Sequence, residues 1–160
     1  DFSRTPSGEM MPVDINTIIQ TSLRLVKDQS PFTGIPIASS LQQDLPSIQG
    51  DRLRLEEVFL NLFANAADAL GGRGVLSIRT ARAGDNLIEI TVADNGHGID
   101  PAFLPHIFEP FFSTKEPGQG TGLGLSITYS IVRNHHGSIH AESAIGQGTT
   151  FTILLPIAEG

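Results

Sequence analysis

Two asparagine side chains stand four residues apart in a stretch of chain that otherwise has the spacing of an apolar helix. Asn61 and Asn65 share one helical face with Glu57 and Asp68, because residues three or four apart are neighbours on a helix. An asparagine costs roughly half a kcal/mol relative to alanine inside a helix, so a pair of them needs a reason. An amide oxygen is a suitable ligand for Mg²⁺ when phosphate groups supply the negative charge. The pattern indicates either a metal site next to phosphates or a plain solvated face, and the helix alone favours neither.

A second group with chemical potential, Asp94-Asn95-Gly96-His97-Gly98, follows a predicted strand. An Asn-Gly pair after a strand is common in hairpin turns, which is one interpretation. The residues after Ile99 do not read as a returning strand, however. The other interpretation is that the glycines let the backbone approach a flat ligand, while Asp94 accepts a hydrogen bond from an exocyclic amine such as that of adenine.

An aromatic segment, residues 108–115, and a glycine run, residues 118–124, come next and have neither helical nor strand periodicity. The glycines occupy alternate positions directly before a predicted helix, and the free N–H groups that open a helix are a ready phosphate site. The run is not a Walker A loop, because no Lys-Ser or Lys-Thr follows its last glycine. The alternative is a flexible linker, which the leucines and the immediate helix disfavour. We expect a phosphate loop here, and the aromatics around it could act as a lid over a nucleotide, mobile from about Phe111 to Gly120. A third pair, Gly146 and Gly148, reads as a hairpin turn.

The elements that must position these residues follow from the periodicity of the apolar side chains. The predicted helices cover residues 14–29, 51–70 and 123–135, with a short one at 101–108. The predicted strands cover residues 35–41, 47–49, 75–81, 87–93, 138–143 and 149–155. The core face of the longest helix is predicted to hold Leu55, Phe59, Leu62, Ala66 and Ala69. Long helices and paired strands in this order predict a two-layer α/β sandwich, with helices on one face of a mixed sheet.

Composition limits what such a fold could do. The chain has 160 residues, which fits one domain, and a formal net charge of −7, which argues against a nucleic-acid-coating surface. It has no cysteine, so disulfides and thiolate metal sites are excluded. The start, Asp1-Phe2-Ser3-Arg4, is not a signal peptide and lacks an initiator Met, so we expect a fragment of a longer protein.

The order and spacing of the motifs resemble the N, G1, F, G2 and G3 boxes of sensor histidine kinases. The residues that carry this resemblance are Asn61-xxx-Asn65-Ala66, Asp94-x-Gly96-x-Gly98, Phe108-Glu109-Pro110-Phe111, Gly120-Thr121-Gly122-Leu123-Gly124-Leu125 and Gly146-x-Gly148-Thr149. The resemblance covers about residues 10–156, and the wider family includes gyrase, Hsp90, MutL and the anti-sigma serine kinases. It implies the Bergerat fold, with ATP between the helix layer and a flexible lid.

The resemblance also implies a role for individual residues. Asn65 would hold Mg²⁺, and Asn61 would line the phosphate site, where Asn61 and Lys115 would be the catalytic side chains. Asp94 would bind the adenine amine, helped by Thr149 through water, and the base would lie against Gly96 and Gly98. The remaining ATP-binding positions would be the phosphate loop, the wall of the base pocket and a lysine at the phosphates: Gly120, Thr121, Gly122, Leu123, Gly124, Ile99, Leu125, Phe151 and Lys115.

Two departures from the family pattern are visible. Many kinases carry Lys three residues after the second Asn, where this chain has Asp68, so Lys115 or Arg73 would supply the phosphate charge. No His-Glu-x-x-Asn-Pro acceptor box is present, and each of the five histidines has an ordinary structural explanation. We therefore expect a linker from missing dimerisation helices at residues 1–13, the ATP-binding domain at 14–157 and a tail at 158–160.

The implied function is transfer of the ATP γ-phosphoryl group to a histidine on the dimerisation (histidine-phosphotransfer) domain of the parent kinase. The further partner would be a response regulator receiver domain, with no nucleic acid. The domain would be cytoplasmic and monomeric, in a parent that would be homodimeric and could be anchored to a membrane. One alternative is an ATPase switch of the gyrase or Hsp90 type, but those enzymes carry a Glu base where this chain has Asn61. The other is a nucleotide-binding scaffold without transfer activity.

Overall fold

The computed structural model describes residues 9–29, 32–112 and 124–158. Three helices and seven strands are formed by these residues. In chain order they are β1 (Met11–Val13), α1 (Ile15–Val26), β2 (Ile37–Leu41), β3 (Ile48–Gly50), α2 (Arg52–Leu70), β4 (Leu76–Ala83), β5 (Leu87–Asp94), α3 (Gly124–Asn134), β6 (Ser138–Ala144) and β7 (Gly148–Pro156). In the described part of the chain, none of these helices has the length and apolar character needed to cross a membrane.

Five of the strands form one mixed sheet in the order β2-β4-β5-β7-β6. β2 pairs with β4 in parallel, and the other neighbours are antiparallel. The remaining strands, β1 and β3, form a separate antiparallel pair. This arrangement confirms the predicted α/β sandwich with a mixed sheet.

The core lies between α2 and the sheet. α2 starts at the cap residue Asp51, whose carboxylate accepts a hydrogen bond from the Arg54 N–H at 3.3 Å, and it stops at the left-handed Gly71. Phe59 and Phe63 are fully buried, with ring centroids 6.2 Å apart. Of the predicted core face, four residues are buried and Ala69 is half-buried at the end of the helix.

Two predicted segments differ from the structure. Met11–Val13, assigned to the linker, forms β1, because Val13 is buried opposite Ile48. The helix predicted at 101–108 is only a short 3₁₀ turn at Leu104–His106. Pro105 has no N–H to donate to the carbonyl of Pro101, so a regular α-helix cannot form through this segment.

Candidate functional site

A row of polar side chains lies at one end of the sheet, on the face that packs against the helices. Asp94 on β5 pairs with Thr149 on β7, and Thr149 pairs with Ser143 on β6. Residues opposite each other in antiparallel strands point to the same face, so the three side chains lie side by side. The next row on this face is apolar: Val92 and Phe151 are buried and Ala141 packs against the core. The sheet therefore presents a single polar row at the edge of the core.

The Asp94 carboxylate is held in a fixed orientation. One oxygen accepts a hydrogen bond from the Gly96 N–H at 2.9 Å, and the backbone N–H of Thr149 also interacts with the carboxylate. Burial raises the pKa of Asp94 above its ordinary value, although these two hydrogen bonds and the nearby His97 act in the opposite direction. The site thus offers an oriented, partly desolvated acceptor.

Gly96 and Gly98 lock the loop after β5 to two neighbouring elements. A Cβ on Gly96 would overlap the carbonyl of Ala69 at the end of α2, and one on Gly98 would overlap the carbonyl of Ala144. Gly98 also has a φ of +78°, which favours glycine. Between them, the backbone N–H of His97 donates to the Ala69 carbonyl, and the His97 carbonyl accepts a hydrogen bond from the Gly146 N–H. The fold therefore requires both glycines whether or not a base lies against them, a reason that the sequence analysis did not foresee.

The two asparagines of α2 have different surroundings. The Asn61 amide donates to the carbonyl of Gly124 at 3.3 Å and to the hydroxyl of Thr128 at 3.4 Å, so it ties α2 to the start of α3. The side chain of Asn65 is half-buried and makes no hydrogen bond within the described part of the chain. Glu57, on the same face, lies 3.4 Å from Arg54. Asn65 is therefore the asparagine of the stripe whose whole amide is available, whereas Asn61 has only its amide oxygen left.

These surroundings fit a Mg²⁺ ion only when phosphates accompany it. Among the described residues, no cluster of three or more His, Cys, Asp or Glu side chains could hold a metal. Mg²⁺ usually binds one or two protein oxygens and completes its octahedron with phosphate and water oxygens. The available Asn65 amide matches that donor set.

The described end of the glycine run lies against the asparagine face of α2. Gly124 opens α3 next to Asn61, and Leu125 packs against the core. The other predicted phosphate-loop residues, Gly120, Thr121, Gly122 and Leu123, lie outside the described residues, as do Lys115 and most of the predicted lid. The start of α3 and the Asn61–Asn65 face are therefore brought together.

The aromatic segment before the lid is anchored at both ends. The ring of Phe108 lies between Tyr129 on α3, at a centroid distance of 5.4 Å, and Phe151 on β7, at 6.3 Å. Phe112 packs against Phe103 at 5.8 Å. Between them Phe111 is 76% exposed with a φ of +66°, an unfavourable conformation for a bulky residue. The segment thus connects the start of the predicted lid to the core behind Thr149.

Ser143 is a site residue that the sequence analysis missed. Its hydroxyl accepts a hydrogen bond from the Ile99 N–H at 2.7 Å and lies 2.8 Å from the hydroxyl of Thr149. It therefore joins the loop after Gly98 to the polar row. The signal that could have revealed it is the hairpin: a turn centred near Gly146 places Ser143 opposite Thr149.

Comparison with known proteins identifies relatives of the whole arrangement. A model of the family described as histidine kinase-, DNA gyrase B-, and HSP90-like ATPase matches residues 50–159. The sensor histidine kinase ZraS of Klebsiella oxytoca is 43% identical over 145 residues, covering 91% of this chain and 31% of the relative. The signal transduction histidine-protein kinase AtoS of Escherichia coli (strain K12) is 38% identical over 157 residues, covering 98% and 26%. The chain spans less than a third of these relatives.

Solved structures share the fold. The mycobacterial sensor histidine kinase MprB superimposes with a TM-score of 0.82 at 28% identity, covering 94% of this chain and 99% of that one. Full-length ShkA in complex with AMPPNP superimposes with a TM-score of 0.82 at 29% identity, covering 94% and 32%.

Proposed function

Because this chain belongs to the histidine kinase-, DNA gyrase B-, and HSP90-like ATPase family, and is the ATP-binding domain of a sensor-kinase type within it, we propose a specific reaction for it. It binds Mg·ATP and transfers the γ-phosphoryl group to a histidine on the dimerisation domain of its parent kinase. From there the group passes to a response regulator receiver domain.

The observation that supports this proposal is the contact between the two elements that carry Asp94 and Asn65. Asp94 ends β5, and the loop after it docks on the last turn of α2, the helix that also carries Asn65. Asp94 would receive the adenine amine, while Asn65 would hold Mg²⁺ at the phosphates next to the start of α3. Mg²⁺, when bound, neutralises charge on the phosphates. Phosphoryl transfer needs mainly such positioning and charge stabilisation, so little further protein chemistry is required.

Asn61 supports transfer over hydrolysis. An ATPase switch needs a base that activates water, and the neutral amide of Asn61 cannot act as one. Its N–H donors are also occupied by Gly124 and Thr128. Glu57, one turn earlier, lies beside Arg54. We therefore propose that hydrolysis is slow, by roughly 10²–10⁴-fold relative to an enzyme with a positioned base.

The acceptor histidine would come from outside this chain. His135 is buried, with both ring nitrogens in hydrogen bonds, and His106 lies 2.7 Å from Glu109. His97 contacts the Gly98 carbonyl through Nδ1 at 2.7 Å. His136 is in the left-handed conformation behind α3, and His140 is exposed on the edge strand β6. None of the five lies within α1, α2 or α3, and none stands in a His-Glu-x-x-Asn-Pro sequence.

The test is labelling with [γ-³²P]ATP. The chain alone, the separated dimerisation domain alone and the mixture are incubated with Mg·ATP, and the Asn65→Ala variant serves as the matched inactive control. Acid-labile, base-stable label should form on the dimerisation domain only in the mixture. Strong labelling of the chain alone would contradict the missing acceptor, and rapid ATP turnover without the partner would favour the ATPase switch.

A further inference from the structure

The hydroxyl of Ser143 has three polar neighbours and one hydrogen to give. It lies 2.7 Å from the Ile99 backbone nitrogen, 3.0 Å from the Gly148 carbonyl oxygen and 2.8 Å from the Thr149 hydroxyl oxygen. The Ile99 N–H can only donate, and the Gly148 carbonyl can only accept.

One arrangement of hydrogens satisfies all three contacts. Ser143 donates to the Gly148 carbonyl and accepts from the Ile99 N–H, so its single hydrogen and one lone pair are used. The contact with Thr149 then forms only if the Thr149 hydroxyl donates its hydrogen to Ser143. Ser143 therefore fixes which way the Thr149 hydroxyl points.

Thr149 is left with lone pairs alone for the rest of the site. Its residue is 5% exposed, so little water is available to turn the hydroxyl round. Next to it on the polar row stands the Asp94 carboxylate, which also only accepts. The row thus presents acceptors side by side, a pattern that suits a ligand edge carrying N–H donors and disfavours one carrying a carbonyl.

We propose that Ser143 is a positioning residue for nucleobase selection. It holds the Thr149 hydroxyl with its hydrogen directed at Ser143, so that the polar row selects a base with an amino group over a base with a carbonyl group. The inference rests on the ATP-binding function proposed above. It also assigns Ser143 a second task, because the same hydroxyl holds the loop at Ile99 in place.

The test compares ATP with ITP, whose base carries a carbonyl where adenine carries its amine. Affinities of both Mg·nucleotides are measured by titration calorimetry for the wild-type chain and for Ser143→Ala. Loss of the Ile99 and Gly148 hydrogen bonds should weaken both nucleotides alike. The freed Thr149 hydroxyl can now donate, so the ratio of ATP to ITP affinity should fall about 3- to 10-fold, the value of one hydrogen bond. Ser138→Ala, an exposed serine on the same strand, should leave the ratio unchanged.

Two further variants test whether the effect belongs to the hydroxyl. Ser143→Thr keeps the hydroxyl and should restore the ratio towards wild type. Ser143→Cys nearly keeps the side-chain volume, but a thiol is only a weak hydrogen-bond acceptor. The ratio of ATP to ITP affinity should therefore decrease in this variant as well. This variant provides the test if Ser143→Ala is unfolded. If the affinities for ATP and ITP decrease by the same factor, so that their ratio is unchanged, Ser143 has a purely structural role and the proposal is overturned. A wild-type chain that binds neither nucleotide would instead overturn the ATP-binding function on which it rests.

Discussion

The imidazole of His135 accepts a hydrogen bond from the backbone N–H of Asp51 at 2.9 Å and so joins the end of α3 to the start of α2. Because Nε2 accepts, Nδ1 carries the hydrogen and donates to the Ile131 carbonyl at 2.8 Å. His135 is buried, and so is Asp51, the residue that caps α2. This histidine is therefore part of the packing between the two helices.

His135→Ala should lower the free energy of unfolding by about 2–4 kcal/mol, because it leaves a buried N–H without a partner and opens a cavity. Urea denaturation measures the change. His140→Ala, at an exposed histidine of β6, is the matched control and should stay within about 0.5 kcal/mol of wild type. A His135→Ala variant as stable as this control would contradict the structural role.

Asn61 and Asn65 should respond differently to alanine. Asn65→Ala should leave stability unchanged or slightly raised, since alanine is the better helix former, while removing the Mg²⁺-dependent part of ATP affinity. Asn61→Ala should cost about 1 kcal/mol of stability, because α3 loses its tie to α2, and should weaken ATP with or without Mg²⁺. Calorimetry in Mg²⁺ and in EDTA separates the two, and undiminished Mg·ATP affinity in Asn65→Ala would refute the metal assignment.

Asp94→Asn should separate stability from binding. Burial raises the pKa of Asp94 above 3.8, so folding favours the protonated form of this carboxyl. The stabilisation of the folded state that comes from this protonation is complete below pH 3.8 and is lost as the pH rises through the raised pKa. The variant should therefore gain stability relative to wild type as the pH increases over this window, in the absence of nucleotide. ATP affinity should fall steeply, because a donor amide can then face the adenine amine. Parallel stability curves for the two proteins would argue against the buried charge.

Gly98→Ala should destabilise the protein even without nucleotide, because the new Cβ overlaps the Ala144 carbonyl. Gly84→Ala is the matched control: Gly84 also has a positive φ, +68°, but no atom lies within 4 Å of its Cβ position. The control should lose about 1–2 kcal/mol through its backbone conformation alone, and Gly98→Ala should lose clearly more. Equal losses in thermal unfolding would mean that the loop does not press against the β6–β7 turn.

Local signals were sufficient for the longest helix and the fold class. Short-range sequence signals predict the cap of α2 at Asp51, the apolar spacing of Leu55 and Phe59 and the end of the helix at Gly71. The structure confirms all of them. β1 escaped prediction because its three residues form a strand only through pairing with β3, far along the chain. The 3₁₀ turn at Leu104–His106 could have been anticipated from Pro101 and Pro105.

The site was less accessible to sequence reasoning, since its features depend on which elements meet. Helical spacing predicts the shared face of Asn61 and Asn65, but not that α3 engages the amide N–H groups of Asn61 and makes no hydrogen bond with Asn65. The glycines after β5 stand out in the sequence, but their partners, the carbonyls of Ala69 and Ala144, lie on separate elements. Ser143 gains its contacts from strand register, a property that its own neighbours in sequence do not reveal.

The pairing of β1 with β3 ties residues 11–13 to the start of α2. Met11 pairs with Gly50, the residue directly before the cap of α2. Asn65 lies thirteen residues along α2, roughly 20 Å from its start. One continuous helix, with Phe59 and Phe63 fully buried, therefore joins the two-stranded sheet to the asparagine face of the site.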